Sequence, residues 1–254
     1  LLRHNIMDNY HEFKLFLHLL STISNYHHRK KGFSDKITQI LEFIQDPMKQ
    51  YFVKNELFEL FDKNKQILLF LLKKGIITIQ DIITKVKSND DLCFFYPEIK
   101  NSGETEKIKL IEKVISKIDK DAIENFEKYR YIGENHTYLC SLIRDDLIKE
   151  FVFYLSQNDV NLSKLTIKRS IFETNLFLNE KKSVTLMEYA CFYGSVKIYQ
   201  YLKSKFFAPT QSLMIFAIHS RSRSMIHLLE EEILFDKSDL SDCYVESIKC
   251  HHNE

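Results

Sequence analysis

The chain has 254 residues, 44% of them apolar, and 36 Lys and Arg against 35 Asp and Glu leave a net charge of +1. That balance excludes a long-range field drawing the whole molecule onto nucleic acid or an anionic membrane. Only 5 Gly and 3 Pro leave few breaks for a fold of many short strands, so an all-α chain with room for two units is expected.

In chain order, "SDKITQILEFI" starts at a capping Ser34 and puts Ile37, Ile40, Leu41 and Ile44 on one face, with a stop expected before Pro47. "QILLFLL", Gln66 to Leu72, is the longest uncharged apolar run, too short to span a bilayer and read as a buried helix ending at Gly75. "ITIQDIITKV" is β-branched enough to suit either a helix or a strand. "FFYPEIKNSG" reads as a loop because Pro97 interrupts it. From Glu104 to Tyr129 the positions Ile111, Val114, Ile115, Ile118, Ala122, Phe126 and Tyr129 keep a period near 3.6, which predicts one long helix.

The second half repeats. Aligned on Leu142, Ala190, Ala217 and Ser247, the residues five places earlier are Thr137, Thr185, Ser212 and Asp242, all N-cap types. Glu188 three after Thr185 completes a capping box. Four residues after the alignment points come Asp146, Gly194, Arg221 and His251; Gly194 is the left-handed stop of a short helix, and Ser195 caps a second one. Each unit therefore reads as cap, short helix, tight turn and second helix, too small to bury its own face unless stacked.

The run Thr185-Leu186-Met187-Glu188-Tyr189-Ala190-Cys191-Phe192-Tyr193-Gly194-Ser195 resembles the ankyrin repeat, with Leu for Pro, Glu for His, Cys for the second Ala and Ser for the second His. "QNDVNL", Gln157 to Leu162, is similar to the loop that follows an ankyrin helix pair. The alignment points are 48, 27 and 30 residues apart where ankyrin units keep about 33, so the array is irregular. The pieces "FEKYRYIGEN", "YLCSLIRDD", "SIFETN", "MEYACFYGS" and "ESIKCHHNE" resemble, in that order, a multi-copy protist family of ankyrin proteins with a helical domain of unknown function ahead of the repeats. The resemblance implies a helical N-terminal region over 1–133 and an irregular ankyrin-type solenoid over 134–254. Its units run approximately 134–162, 183–209, 210–240 and, partially, 241–254, with an insertion near 163–182 around "SIFETNLFL". It also implies protein binding, and it carries over no catalytic residue, cofactor or metal ligand.

In ankyrin geometry the two residues before the glycine slot project toward the concave surface, which here implies Arg144 and Asp145, Phe192 and Tyr193, His219 and Ser220, and Lys249 and Cys250. Aromatic residues flanked by Arg and His have the composition of an interface hot spot. The competing expectation is that Phe192 or Tyr193 packs into a neighbouring unit or the insertion. Ala190 and Ala217 mark close helix approach.

Other chemistries have plainer readings. Cys191 with His219 would make a thiol nucleophile, but Cys191 occupies a packing position of the repeat. Cys243, Cys250, His251 and His252 are metal-ligand types without a paired Cys-x-x-Cys. "YHHRKKG", Tyr26 to Gly32, has cations for phosphate in a run short enough to be a solvated loop. Five scattered cysteines fit a reducing, cytoplasmic setting. The start "LLRHN" and the finish "KCHHNE" read as cuts in a longer protein. The expected function is a non-enzymatic scaffold or adaptor for an unidentified protein partner, with no cofactor, nucleic acid or membrane span. The alternatives are a helical effector acting through its N-terminal region and a thiol or metal-dependent enzyme.

Overall fold

The computed structural model describes residues 6–26, 32–158, 162, 165–205, 208–233 and 237–250. Helix accounts for 72% of the chain and strand for 3%, so the class is all-α. The Gln157–Leu162 loop, the basic run after Tyr26, and His251 and His252 fall wholly or largely outside the described residues. Two compact units emerge: one comprises Leu1–Asn25, Arg29–Glu134 and Ile171–Leu176, the other Tyr26–His28, Asn135–Ser170 and Phe177–Glu254. Residues 171–176 thus group with the N-terminal unit, although they lie in the stretch expected as an insertion among the repeats.

The first unit carries α1 (Tyr10–Tyr26), α2 (Phe33–Tyr51), α3 (Lys54–Phe61), α4 (Lys65–Lys73), α5 (Ile79–Lys85), α6 (Asn89–Cys93), α7 (Tyr96–Lys100), α8 (Thr105–Ile115), α9 (Lys120–Glu124) and α10 (Phe126–Ile132). The apolar run is buried as expected: Ile67, Leu68 and Leu71 of α4 are inaccessible, and Gly75 closes the helix at φ 65°. The β-branched stretch resolves as helix α5, because Thr78 accepts from the Asp81 amide while Asp81 accepts from the Thr78 amide. That box satisfies the free amides that a strand would have left to a neighbour.

Three local readings are corrected. Helix α2 runs through Pro47 to Tyr51 and starts after Gly32 rather than at Ser34. Pro97 lies in the first turn of α7, where a missing amide leaves no hydrogen bond unmade. The 104–129 periodicity is divided among three helices, because Asp119 accepts from the Ala122 amide and starts α9 afresh. α6 and α7 both pack on α8. Arg130 of α10, 2% exposed, holds Glu98 through both terminal nitrogens at 2.6 and 3.0 Å and also reaches Glu127 and the Phe94 carbonyl. A bidentate pair of this kind keeps a buried guanidinium compensated.

The second unit carries α11 (Tyr138–Arg144), α12 (Ile148–Gln157), β1 (Thr166–Lys168), α13 (Leu176–Asn179), β2 (Ser183–Thr185), α14 (Leu186–Tyr193), α15 (Val196–Ser204), α16 (Leu213–Ser220), α17 (Arg223–Glu232) and α18 (Lys237–Lys249). β1 and β2 form an antiparallel ribbon pairing Ile167 with Val184, a small departure from the all-α expectation. α11 packs on α14, α14 on α16 and α16 on α18, while α12 packs on α15. α12, α15 and α17 each pack on the helix that precedes them in their hairpin.

The turn positions agree closely with the alignment. Asp146 and Arg221, with φ 50° and 54°, are the two non-glycine residues of positive φ among the described residues, and Gly194 has φ 70°. Each reaches the next hairpin. Asp146 accepts from the Lys197 and Ile198 amides at the start of α15, where a helix end favours an anion. A Cβ on Gly194 would stand 2.7 Å from Ser222 Cβ, and Arg221 donates to the Cys250 carbonyl.

The caps agree in part. Thr185 and Glu188 form the full box, at 2.7 and 3.1 Å. Thr137 stands at the start of α11 but gives its hydroxyl to Asn135, and Ser212 starts α16 with its hydroxyl against Thr210. Ser195 precedes α15 and donates to the Ile143 carbonyl. Asp242 is no cap, because α18 starts upstream at Lys237. Ala190 and Ala217 are fully buried.

Candidate functional site

The eight residues expected on a concave surface divide into three groups: Phe192, His219 and Cys250 are buried, Ser220 is held in a turn, and Arg144, Asp145, Tyr193 and Lys249 reach the surface. Cys250 is 2% exposed and lies against His219. Phe192 and His219 are each 1% exposed, which corrects the expectation that they project outward and agrees with the competing one that Phe192 packs inward. The reason is Phe177, carried by the stretch between the paired strands. Its ring lies parallel to Phe192 at 6.1 Å, 4.2 Å from the His219 ring and 4.9 Å from Phe216. Ser220 closes a turn, donating to the Ala217 carbonyl and accepting from the Ser222 amide.

Arg144, Asp145 and Tyr193 remain at the surface, with Asp145 exposed and the other two half-buried. Arg144 donates to the Asn135 carbonyl at 2.6 Å and to the Tyr189 hydroxyl at 3.2 Å, and its guanidinium lies 5.9 Å over the Tyr193 ring. Tyr193 also rests on Tyr189 and Phe192, at 4.8 and 5.0 Å. The result is a braced aromatic beside a fixed cation, with the exposed Asp145 next to Arg144 in the chain. Such an arrangement has little side-chain entropy to lose on binding. Near it in sequence, the exposed Tyr138 and Phe153 border a hollow of about 450 Å³ on α11 and α12 with Lys149 and Glu150. Phe153 drew no attention in the sequence because it lies on α12, away from the aligned positions.

Beneath the surface the structure brings together His219, Glu246 and Cys250, all buried, with ligand atoms within 4.8 Å of one another. His219 donates Nε2–H to Glu246 Oε1 at 3.0 Å, and Lys249 holds the other carboxylate oxygen at 3.0 Å. Cys250 Sγ lies 3.3 Å from His219 Nδ1 and 3.8 Å from Nε2. A sulfur so near both nitrogens sits over the ring, off the in-plane axis along which imidazole binds a metal. The Glu246 charge is already matched by Lys249. The geometry is that of a hydrogen-bonded polar core, not of a coordination sphere.

The thiol beside His219 is therefore that of Cys250, not that of Cys191. Burial pushes Cys250 up to about 12 and raises Cys191 further, so both stay protonated near neutral pH. Subtracting the repeat register would have found the pair, since His219 and Cys250 follow consecutive alignment points by two and three residues.

For Glu246, burial works to raise the pKa, but the bonds from His219 and Lys249 outweigh it and hold the carboxyl below its ordinary 4.5. A depressed carboxylate contributes stability that is complete above the unfolded value and lost as pH falls through the folded one. Thermal melting is thus expected to weaken below pH 4.5, and less steeply in Glu246→Gln, whose side chain has no charge to lose. Parallel slopes in the two proteins would contradict this.

Compared with known proteins, the chain matches no family model, no curated protein and no solved structure. No helix among the described residues is long and apolar enough to cross a membrane.

Proposed function

We propose that the chain is a non-enzymatic protein-binding scaffold built on irregular ankyrin-type hairpins, with Arg144, Asp145 and Tyr193 on its binding surface. The observation that carries the reading is the recurrence of a left-handed turn residue at Asp146, Gly194 and Arg221, with Asp146 and Arg221 hydrogen-bonded to the next hairpin and Gly194 leaving no room for a Cβ against it. Linked hairpins of this kind present an extended surface without a catalytic cleft. The buried, protonated thiols favour binding over nucleophilic chemistry.

The test is quantitative capture of partners from cell extract by the intact chain and by Tyr193→Ala. Losing the partly exposed ring is expected to cost about 1 kcal/mol of fold stability, the worth of its ring contacts, and to weaken capture about tenfold or more. Undiminished capture by a folded Tyr193→Ala protein would move the site away from this surface.

A second reading gives the activity to the N-terminal unit. It is favoured by an open apolar trough of about 710 Å³ lined by Ile6, Met7, Phe16, Ile40, Phe43 and Ile44, with Phe43 exposed at its lip. Capture lost in Phe43→Ser and kept in Tyr193→Ala would select that reading.

A further inference from the structure

Counted from the turn residues Asp146, Gly194 and Arg221, the positions four and eight further on are Glu150 and Tyr154 in α12, Ile198 and Leu202 in α15, and Met225 and Leu229 in α17. Residues four apart share a helix face. In α15 and α17 that face is apolar and wholly buried, whereas in α12 it holds an exposed carboxylate and a half-buried tyrosine. A carboxylate in this slot makes the face unsuited to another apolar hairpin, which would bury the charge unpaired.

Glu150 and Tyr154 line the hollow of about 450 Å³ together with Tyr138 and Phe153. Tyr138 meets Tyr154 edge-on, at 5.8 Å and 65°, and Tyr138 and Phe153 are 60% and 65% exposed. Among the described residues Glu150 makes no hydrogen bond or ion pair, and neither does Lys149, which also borders the hollow.

The chain itself shows what such a group of side chains holds. Arg130 lies 5.8 Å from the Phe94 ring and 5.8 Å from the Phe126 ring, while its two terminal nitrogens grip Glu98. Arg144 lies over Tyr193 in a similar way. The hollow has the same components, rings and a carboxylate, turned toward solvent. Ring faces attract cations and repel anions. A guanidinium can stack on a ring and offer its fork to a carboxylate at the same time, which the point charge of an ammonium cannot do.

We propose that the hollow of Tyr138, Glu150, Phe153 and Tyr154 is a binding pocket for an arginine side chain of a partner protein. The guanidinium stacks on a tyrosine ring and pairs with Glu150, and the aliphatic stem lies along Phe153. Lys149 opposes any cation by its charge, so a ligand is held only if it adds directed bonds to Glu150 to its ring contacts, which selects arginine over lysine. The inference goes beyond the Tyr193 surface and uses none of its residues.

The experiment titrates the isotope-labelled full chain with a blocked pentapeptide carrying arginine between glycines, and follows the NMR signals of Tyr138 and α12. Those signals are expected to shift. Lysine in place of arginine should weaken binding about threefold or more, and citrulline, which keeps the planar group without the charge, about tenfold or more. Glu150→Gln should weaken the arginine peptide about tenfold, Tyr138→Ala about threefold, and Lys149→Gln should tighten it. These side chains are exposed, so each variant should melt like the parent. The proposal is overturned if the arginine peptide moves none of these signals, if citrulline binds equally, if a lysine or trimethyl-lysine peptide binds more tightly, or if Glu150→Gln keeps full affinity. A dimer of the parent chain that Glu150→Gln dissociates would also overturn it, by assigning the hollow to a second copy. Tyr193→Ala should bind the peptide as the parent does, so either surface can fail without the other.

Discussion

Phe192→Ala is expected to lower the stability of the second unit by about 3–5 kcal/mol, the range for truncating a buried aromatic. Phe192 is 1% exposed and stands among Phe177 at 6.1 Å, His219 at 5.1 Å and Tyr193 at 5.0 Å. Removing the ring opens a cavity that none of these neighbours can fill easily, since Phe177 is held by the paired strands on either side and His219 by Glu246. The polar core then borders an empty space. The melting temperature should fall by about 10 °C or more. Tyr193→Ala, one residue on, is expected to lose only about a third as much, because its ring lies partly in water and contributes mainly pair contacts. Thermal melting of the two variants side by side separates core from surface. Equal losses would show that Tyr193 is a core residue as well, and the proposed binding surface would lose its central side chain.

Gly194→Val is the second large effect, expected to cost about 3 kcal/mol or more. Two separate penalties combine. At φ 70° a residue with a Cβ costs roughly 1–2 kcal/mol, and a β-branched one fits worst. The new Cβ would also stand 2.7 Å from Ser222 Cβ in the next hairpin, an overlap that must force the hairpins apart, at about 1–3 kcal/mol. Gly103 separates the penalties, since its φ is 82° with nothing within 4 Å of an added Cβ. Gly103→Ala should show the conformational cost alone, whereas Gly194→Ala should show both. Ser222→Gly, which keeps a tolerable cap on α17 at a cost of a few tenths of a kcal/mol, should then recover part of the Gly194→Ala loss and none of the Gly103→Ala loss. A double-mutant cycle without coupling between 194 and 222 would remove the close hairpin approach from the explanation.

Asp146 and Arg221 show how a turn position can be occupied by something other than glycine. Both accept the left-handed backbone and offset it with a side-chain bond to the next hairpin, Asp146 to the amide end of α15 and Arg221 to the carbonyl of Cys250. Helix ends favour those two charges in that order.

What the sequence determined by itself was local. The left-handed turns, the Thr185–Glu188 box, the stop at Gly75 and the burial of the 66–72 run depend on side chains within a few residues of one another, and spacing alone reveals them. Local rules also account for its errors in the first unit. Pro47 inside α2 and Pro97 in the first turn of α7 read as breaks because a proline's effect depends on where the helix starts. The 104–129 pattern kept its period although Asp119 restarts the helix, since periodicity records which side faces a core and not whether the chain is continuous. Only the tertiary structure decided that Phe192 and His219 are buried. The residue that covers them, Phe177, arrives from the stretch between β1 and β2, which the pairing of Ile167 with Val184 brings together. The same holds for the meeting of His219 with Cys250 across two helices. Burial is a property of what packs against a side chain, and a neighbour far away in the chain leaves no periodic trace in the sequence that it covers.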